Sequence, residues 1–185
     1  MKSKSRISPD QARDILTSNN SLENFHIYGD FDISDFGRYV NKIIINNCTI
    51  ENFNAQNVDF VSDIELIDTL FLNASFATSF FKNGLLIENC IFKNNVDFQD
   101  GGYNKVNKSI EFINNTFYGF VNFIDCVFNG PVVLKYNNFN KGSNLLGNKN
   151  KSYCTVFDFE PELYKNKGEI DLDGEGIIKI TSLIY

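Results

Sequence analysis

The sequence predicts an all-β protein: a right-handed quadrilateral parallel β-helix of about five coils of 21–22 residues, with a short N-terminal α-helical cap and a C-terminal cap or tail. Three observations predict it. First, apolar residues recur in steps of five or six: Ile45, Ile50, Ala55, Phe60, Leu66, Phe71, Phe76, Phe81, Ile87, Phe92, Phe98, then Phe112, Phe117, Phe123, Phe128, Leu134, Phe139. Neither the period of an α-helix nor that of a flat strand puts such residues on one side, whereas a coil that turns a corner every five residues does. Second, the residue two places earlier is mostly small or β-branched, as at Ile43, Cys48, Val58, Ile64, Thr69 and Ala74. Residues i−2 and i on an extended segment point the same way, so each short segment sends two side chains inward. Third, stacking the series in fours gives consistent columns, provided that Tyr103 takes the otherwise empty fourth slot of its coil. In column three Phe53 precedes Ala55 while Ala74 precedes Phe76, which compensates volume within the column.

In chain order, residues 1–24 form an N-terminal capping segment. Ser8–Leu16 predicts a short helix, with Ser8 as N-cap, Pro9 in the first turn and Asp10 against the dipole. The repeat domain spans 25–146, opening with an irregular coil at Phe25-x-Ile27 and Phe31-x-Ile33. Asn104–Ser109 is a loop inserted at the corner between columns four and one. Residues 147–185 are a tail with strand-like runs at Thr155–Phe159 and Ile177–Tyr185. Caps are expected because the open edges of a coil stack otherwise invite pairing with other chains.

Segments such as Cys90-Ile-Phe92-Lys-Asn, Asn115-Thr-Phe117-Tyr-Gly and Cys126-Val-Phe128-Asn-Gly carry a central Phe with a small residue two before it. In this the chain resembles the pentapeptide-repeat family over about residues 25–146. It departs in its six-residue steps and in the Ile, Leu or Val at i−2 of column one, which mark that side as the truest strand. The resemblance implies a scaffold and leaves its partner open. Some members of that family imitate a B-form duplex and bind type II topoisomerases.

Composition narrows the function. The net charge of −6 disfavours a nucleic-acid binder and docking on anionic membranes. Direct nucleic-acid or membrane binding is therefore not expected. No apolar stretch follows the basic Met1–Arg6, so no leader is read and a cytoplasmic location is expected. Within 41–140 ten acids face six bases, a sparse charge beside a duplex with one charge per about 1.7 Å, so the acidic DNA mimic is the second reading. A β-helix carbohydrate-active enzyme is the third: it needs clustered carboxylates, and Glu51, Asp59, Glu65, Glu88, Asp97, Glu111 and Asp125 fall on several faces. Glu65 and Glu111 share one face but stand two coils apart, with Leu86 between.

No catalytic, cofactor or metal site is expected. Cys48, Cys90 and Cys126 occupy inward slots as buried thiols, with Cys48 and Cys90 two coils apart, too far for a disulfide. His26 has no partner His or Cys. Glu169-Ile-Asp-Leu-Asp173-Gly lacks the closing Glu of a calcium loop and reads as a hairpin whose turn is Asp173–Gly176. The outward slots are more informative. Ile44, Ile67, Leu70, Leu72, Leu86, Ile91, Ile113, Tyr118 and Val133 line two adjacent sides, while Asn54, Gln56, Ser75, Asp97, Gln99 and Asn122 line the next. Such an apolar surface marks a protein interface, including that of a homodimer, or else lies under the N-terminal helix (Ile15, Leu16) or the C-terminal tail. The expected function is a non-catalytic scaffold or protein-binding module.

Overall fold

The computed structural model describes residues 4–174. They form a parallel β-helix whose coils stack as four ladders around an apolar core, with one helix at the N-terminal end. Face one stacks Ser21–Glu23, Ile43–Asn46, Ile64–Ile67, Leu85–Glu88, Ile110–Ile113, Val132–Lys135 and Glu162–Tyr164. Face two stacks Ser5–Ile7, Phe25–Asp32, Thr49–Asn54, Leu70–Ser75, Ile91–Phe92, Thr116–Phe117 and Asn138–Phe139. The longer of these strands run on into face three, where Val96–Asp97 and Val121–Asn122 continue the ladder. Face four carries Arg38–Tyr39, Asp59–Phe60, Phe80–Phe81, Val127–Phe128 and Val156–Phe157.

Register follows the five-residue series. Ile45, Leu66, Ile87, Phe112 and Leu134 are successive partners on face one, and Ile50, Phe71, Phe92, Phe117 and Phe139 on face two. Stacking identical slots at the inter-strand spacing brings the rings into contact. Phe71–Phe92, Phe92–Phe117 and Phe117–Phe139 have centroids 4.8, 4.9 and 5.0 Å apart and nearly parallel planes. Each such pair contributes about 0.5–1.5 kcal/mol beyond its area burial. Phe53 meets Phe76 edge-on at 5.6 Å, the volume exchange read from column three.

The corners explain the abundance of Asn. Asn24, Asn47, Asp68, Asn89 and Asn114 stack at the corner between faces one and two, all with φ of 48–63°. Asn57, Thr78, Asp100, Asp125 and Asn148 do the same between faces three and four, with φ of 55–58°. Asn and Asp tolerate this left-handed region because their short polar side chains hydrogen-bond locally. Inside, the small i−2 slots of column two hold polar groups where the turning backbone lacks a partner. Thr69 Oγ1 accepts from the Cys48 N–H at 3.1 Å, Asn115 Oδ1 from the Cys90 N–H at 2.8 Å, and Asn137 Oδ1 from the Asn115 N–H at 3.0 Å.

Cys48, Cys90 and Cys126 are buried and unpaired. Burial pushes their thiols up, Cys90 to about 12. A thiol reagent at about pH 8 is expected to modify only the half-exposed Cys154 in the folded protein and all four cysteines in denaturant. Modification of any second thiol in the folded state would contradict the buried placement.

One slot differs from the sequence reading. Tyr103 lies in register with Phe81 and Phe128, since Gly102 bridges both Phe80 and Val127, but its side chain points outward. It is 42 % exposed, has φ 55° and sits edge-on over Phe80 at 4.7 Å. The chain passes close to its neighbours there: a Cβ on Gly102 would stand 2.4 Å from the Val127 carbonyl oxygen. The ring column of face four is therefore interrupted for one coil.

The ladders also reach past both ends of the repeat as read from its period. Ser5–Ile7 pairs with Phe25–Ile27, and Leu22 is the face-one partner of Ile45. Beyond residue 146 the chain makes a further turn of the coil: Val156–Phe157 pairs with Val127–Phe128 and Glu162–Tyr164 with Val133–Lys135. Ser143 and Leu146 then donate to the Glu169 and Ile170 carbonyls, so 169–172 lies along the previous coil. Ile177–Tyr185 and the second half of the expected turn at 173–176 lie outside the described residues.

Candidate interaction surface

The helix Pro9–Asn19 starts from a full capping box between Ser8 and Gln11. It packs on the first coil, against Ser21–Glu23 and Phe25–Asp32. Its Ala12 and Leu16 are buried with the core, and the Tyr39 hydroxyl donates to the Leu16 carbonyl at 3.2 Å. Arg13 bonds Asp35 at 2.8 Å. The helix thus closes the end of the tube as the expected N-terminal cap, and does not take up the alternative place over the apolar sides. A tube end exposes unpaired strand edges as well as core side chains, and so draws the cap more strongly than a side wall. The tail as far as residue 174 serves as a further coil.

The nine outward apolar residues divide between two faces of different character. On face one they alternate with charge. One ladder reads Ser21, Ile44, Glu65, Leu86, Glu111, Val133, Glu162, and its neighbour reads Glu23, Asn46, Ile67, Glu88, Ile113, Lys135, Tyr164. Glu65 pairs with Lys42 at 2.6 Å and Lys135 with Glu162 at 2.7 Å. Glu65 and Glu111 both border a cleft of about 210 Å³ beneath the 104–109 loop, with Leu86 and Lys108, and Glu111 accepts from the Ser109 hydroxyl.

On face two Leu70, Leu72 and Ile91 are contiguous, while on the outer ladder Lys93 stands between Leu72 and Tyr118. Leu70 is the strand partner of Ile91, Leu72 follows on the same strand, and Lys93 sits 4.3 Å over the ring of Tyr118. Ile91 is 39 % and Tyr118 44 % exposed. Thr49 and Thr116 flank this patch as partners of Leu70 and Ile91. At its N-terminal edge Glu51 accepts from the Gly29 N–H at 3.0 Å and lies 3.2 Å from His26 Nε2. The Gly29 N–H and then His26 hold the Glu51 carboxyl below its usual range. Arg6 stacks on Tyr28 at 4.4 Å.

Tyr28 and Lys93 were not singled out from the sequence, and Glu51 was read only as one of the scattered outward acids. Their signal was the 21–22-residue spacing applied to the outward slots. Tyr28 escapes that spacing because a bulge sets Tyr28 and Gly29 opposite Glu51.

Face three and its corner carry amide ladders. Asn94, Asn73 and Asn52 each donate to the preceding side chain, ending at Asp30, with distances of 2.9, 2.7 and 2.8 Å. Asn73, Asn52 and Asp30 border a groove of about 410 Å³ floored by Phe53 and Ala74. Among the described residues no group of three His, Cys, Asp or Glu side chains stands together to hold a metal ion, and no helix is long and apolar enough to cross a membrane.

The fold defines the class: an all-β parallel β-helix with a small helical N-terminal cap. Searches of family models, curated proteins and solved structures each found no match to this chain.

Proposed function

We propose that this chain is a non-catalytic binding scaffold of the pentapeptide-repeat type, and that it engages a protein through faces one and two. The contiguous Leu70, Leu72 and Ile91, with Tyr118 beyond Lys93, carry this reading: they lie on a strand ladder, and the helix packs elsewhere. A flat ladder presents rigid side chains at fixed spacing, so little is lost to ordering on binding. Four unpaired thiols fit a reducing, cytoplasmic setting.

The duplex-mimic reading has less support. The acids of face one alternate with Ile44, Leu86 and Val133 on one ladder and Ile67 and Ile113 on the other. Acids on every second rung stand roughly 10 Å apart along a ladder, against one duplex charge per about 1.7 Å.

The test is a photo-crosslinking residue placed at Leu72, Ile91 or Ile113, with Asn54 and Lys82 as controls on other faces. Protein adducts are expected from the first three positions and not from the controls. Equal labelling from both sets, or none from either, would sink the proposal.

A further inference from the structure

Face two has a symmetry of its own. Its outer ladder runs Tyr28, Glu51, Leu72, Lys93, Tyr118 along the rod. Reversing this order about Leu72 puts Tyr where Tyr was and exchanges Glu51 with Lys93. The companion ladder runs His26, Thr49, Leu70, Ile91, Thr116. Reversed about Leu70, it sets Leu70 on Leu70 and Thr49 on Ile91. The corners behave alike. Asn24, Asn47, Asp68, Asn89 and Asn114 read the same in both directions by residue type, and on the other side Asn52 exchanges with Asn94 about Asn73.

A surface that is its own complement under reversal is what an isologous twofold contact requires. We propose that face two binds a second copy of this chain: two rods pack face to face and antiparallel, about an axis lying between the faces and across both rods at Leu70–Leu72. This deepens the reading of face two as a protein-binding surface by naming the partner. Each protomer's Glu51 then faces the other's Lys93, giving two charge pairs per dimer around a centre of four leucines. At each end of the contact one protomer's Tyr28 packs against the other's Tyr118, the two ends standing roughly 19 Å apart along the rod.

Two contacts are unfavourable. Ile91 meets Thr49, whose hydroxyl accepts from the Lys4 ammonium at 3.2 Å. Asp68 meets its own symmetry mate, but it is exposed at the corner, where solvent and salt screen the repulsion. Glu51 already serves Gly29 and His26, and a carboxylate has lone pairs for a further donor.

Size sets the strength. A face about 20 Å long and about 10 Å wide lies well under the roughly 800 Å² per partner of a standard interface. The dimer is therefore of the weak class, forming and dissociating as concentration changes.

Sedimentation equilibrium over a range of concentrations, at low salt, tests this. The wild type is expected to show a monomer–dimer equilibrium. Glu51→Lys and Lys93→Glu should each weaken dimerisation about tenfold or more, because twofold symmetry counts each like-charge clash twice. The double variant Glu51→Lys/Lys93→Glu should recover dimerisation near the wild-type level. All these positions are on the outer surface, and circular dichroism melts confirm that each variant is folded. A wild type that stays monomeric throughout, single variants that dimerise unchanged, or a double variant that fails to recover would each overturn the antiparallel pairing. If the pairing falls while Leu72 and Ile91 still crosslink to a different protein, the binding-scaffold reading stands. If those positions also form no adduct, both fall.

Discussion

Phe98→Ala is expected to destabilise the protein by about 3–5 kcal/mol. Phe98 is buried at the centre of the aromatic core. Its ring stacks on Phe76 at 4.8 Å and on Phe123 at 5.1 Å, and meets Phe112 edge-on at 5.5 Å. The neighbours on either side are fixed by their own ladders: Val96 pairs with Ala74 and Val121, and the Phe98 N–H donates to Asn122 at 2.8 Å. The site therefore cannot collapse into the space left, and the loss falls toward the upper end of the range. Coils of a solenoid are coupled to their nearest neighbours, so a hole in a central coil weakens both halves. At about 2–4 °C per kcal/mol for a chain of this size, the melting temperature should fall by roughly 6–20 °C. Phe159→Ala, at an exposed position, is the control and should cost far less. A loss at Phe98 under about 1 kcal/mol in a urea titration would contradict the stacked core.

The second large effect is polar. Asn115→Leu keeps the side chain's volume and removes its hydrogen bonds. Asn115 Oδ1 accepts from the Cys90 N–H at 2.8 Å, and its Nδ2 donates to the Ile87 carbonyl at 2.7 Å. Leucine would leave both backbone groups buried without a partner, at about 1–3 kcal/mol each, or roughly 2–6 kcal/mol together. Asn115→Thr should be milder. In an earlier coil Thr69 accepts from the Cys48 N–H while donating to the Ile67 carbonyl two residues before it, so a hydroxyl at 115 can serve the Cys90 N–H and leaves only the Ile87 carbonyl without its donor. The same comparison should appear in hydrogen exchange: the Cys90 amide loses protection in the Leu variant and keeps most of it in the Thr variant. Equal stability of Asn115→Leu and wild type would mean that the corner amides find other partners.

Both predictions rest on inward slots that were legible in the sequence. On an extended segment the side chains at i−2 and i must share a side, so a five-residue period names the core one residue at a time. The period alone puts Phe98 and Asn115 in their columns. The outward slots were legible only as apolar or polar. Ile44 and Leu70 were grouped together, yet Ile44 sits in a ladder that alternates with glutamates, while Leu70 sits in a continuous patch. Telling these apart requires the lateral neighbour of every residue.

The sequence by itself determined the four-column repeat, the inward set, the capping box and the apolar character of two sides. These are local properties, written in period and residue type. Only the tertiary structure decided where Tyr103 points, because that depends on how closely Gly102 approaches the next coil. It alone decided that the helix covers the end of the tube, since the exposed edge there competes with the side walls for the same apolar stripe. It alone decided that Tyr28 completes the ladder of Glu51, Leu72 and Lys93: those three follow from the 21-residue spacing, whereas Tyr28 joins them only through a bulge that the period does not show.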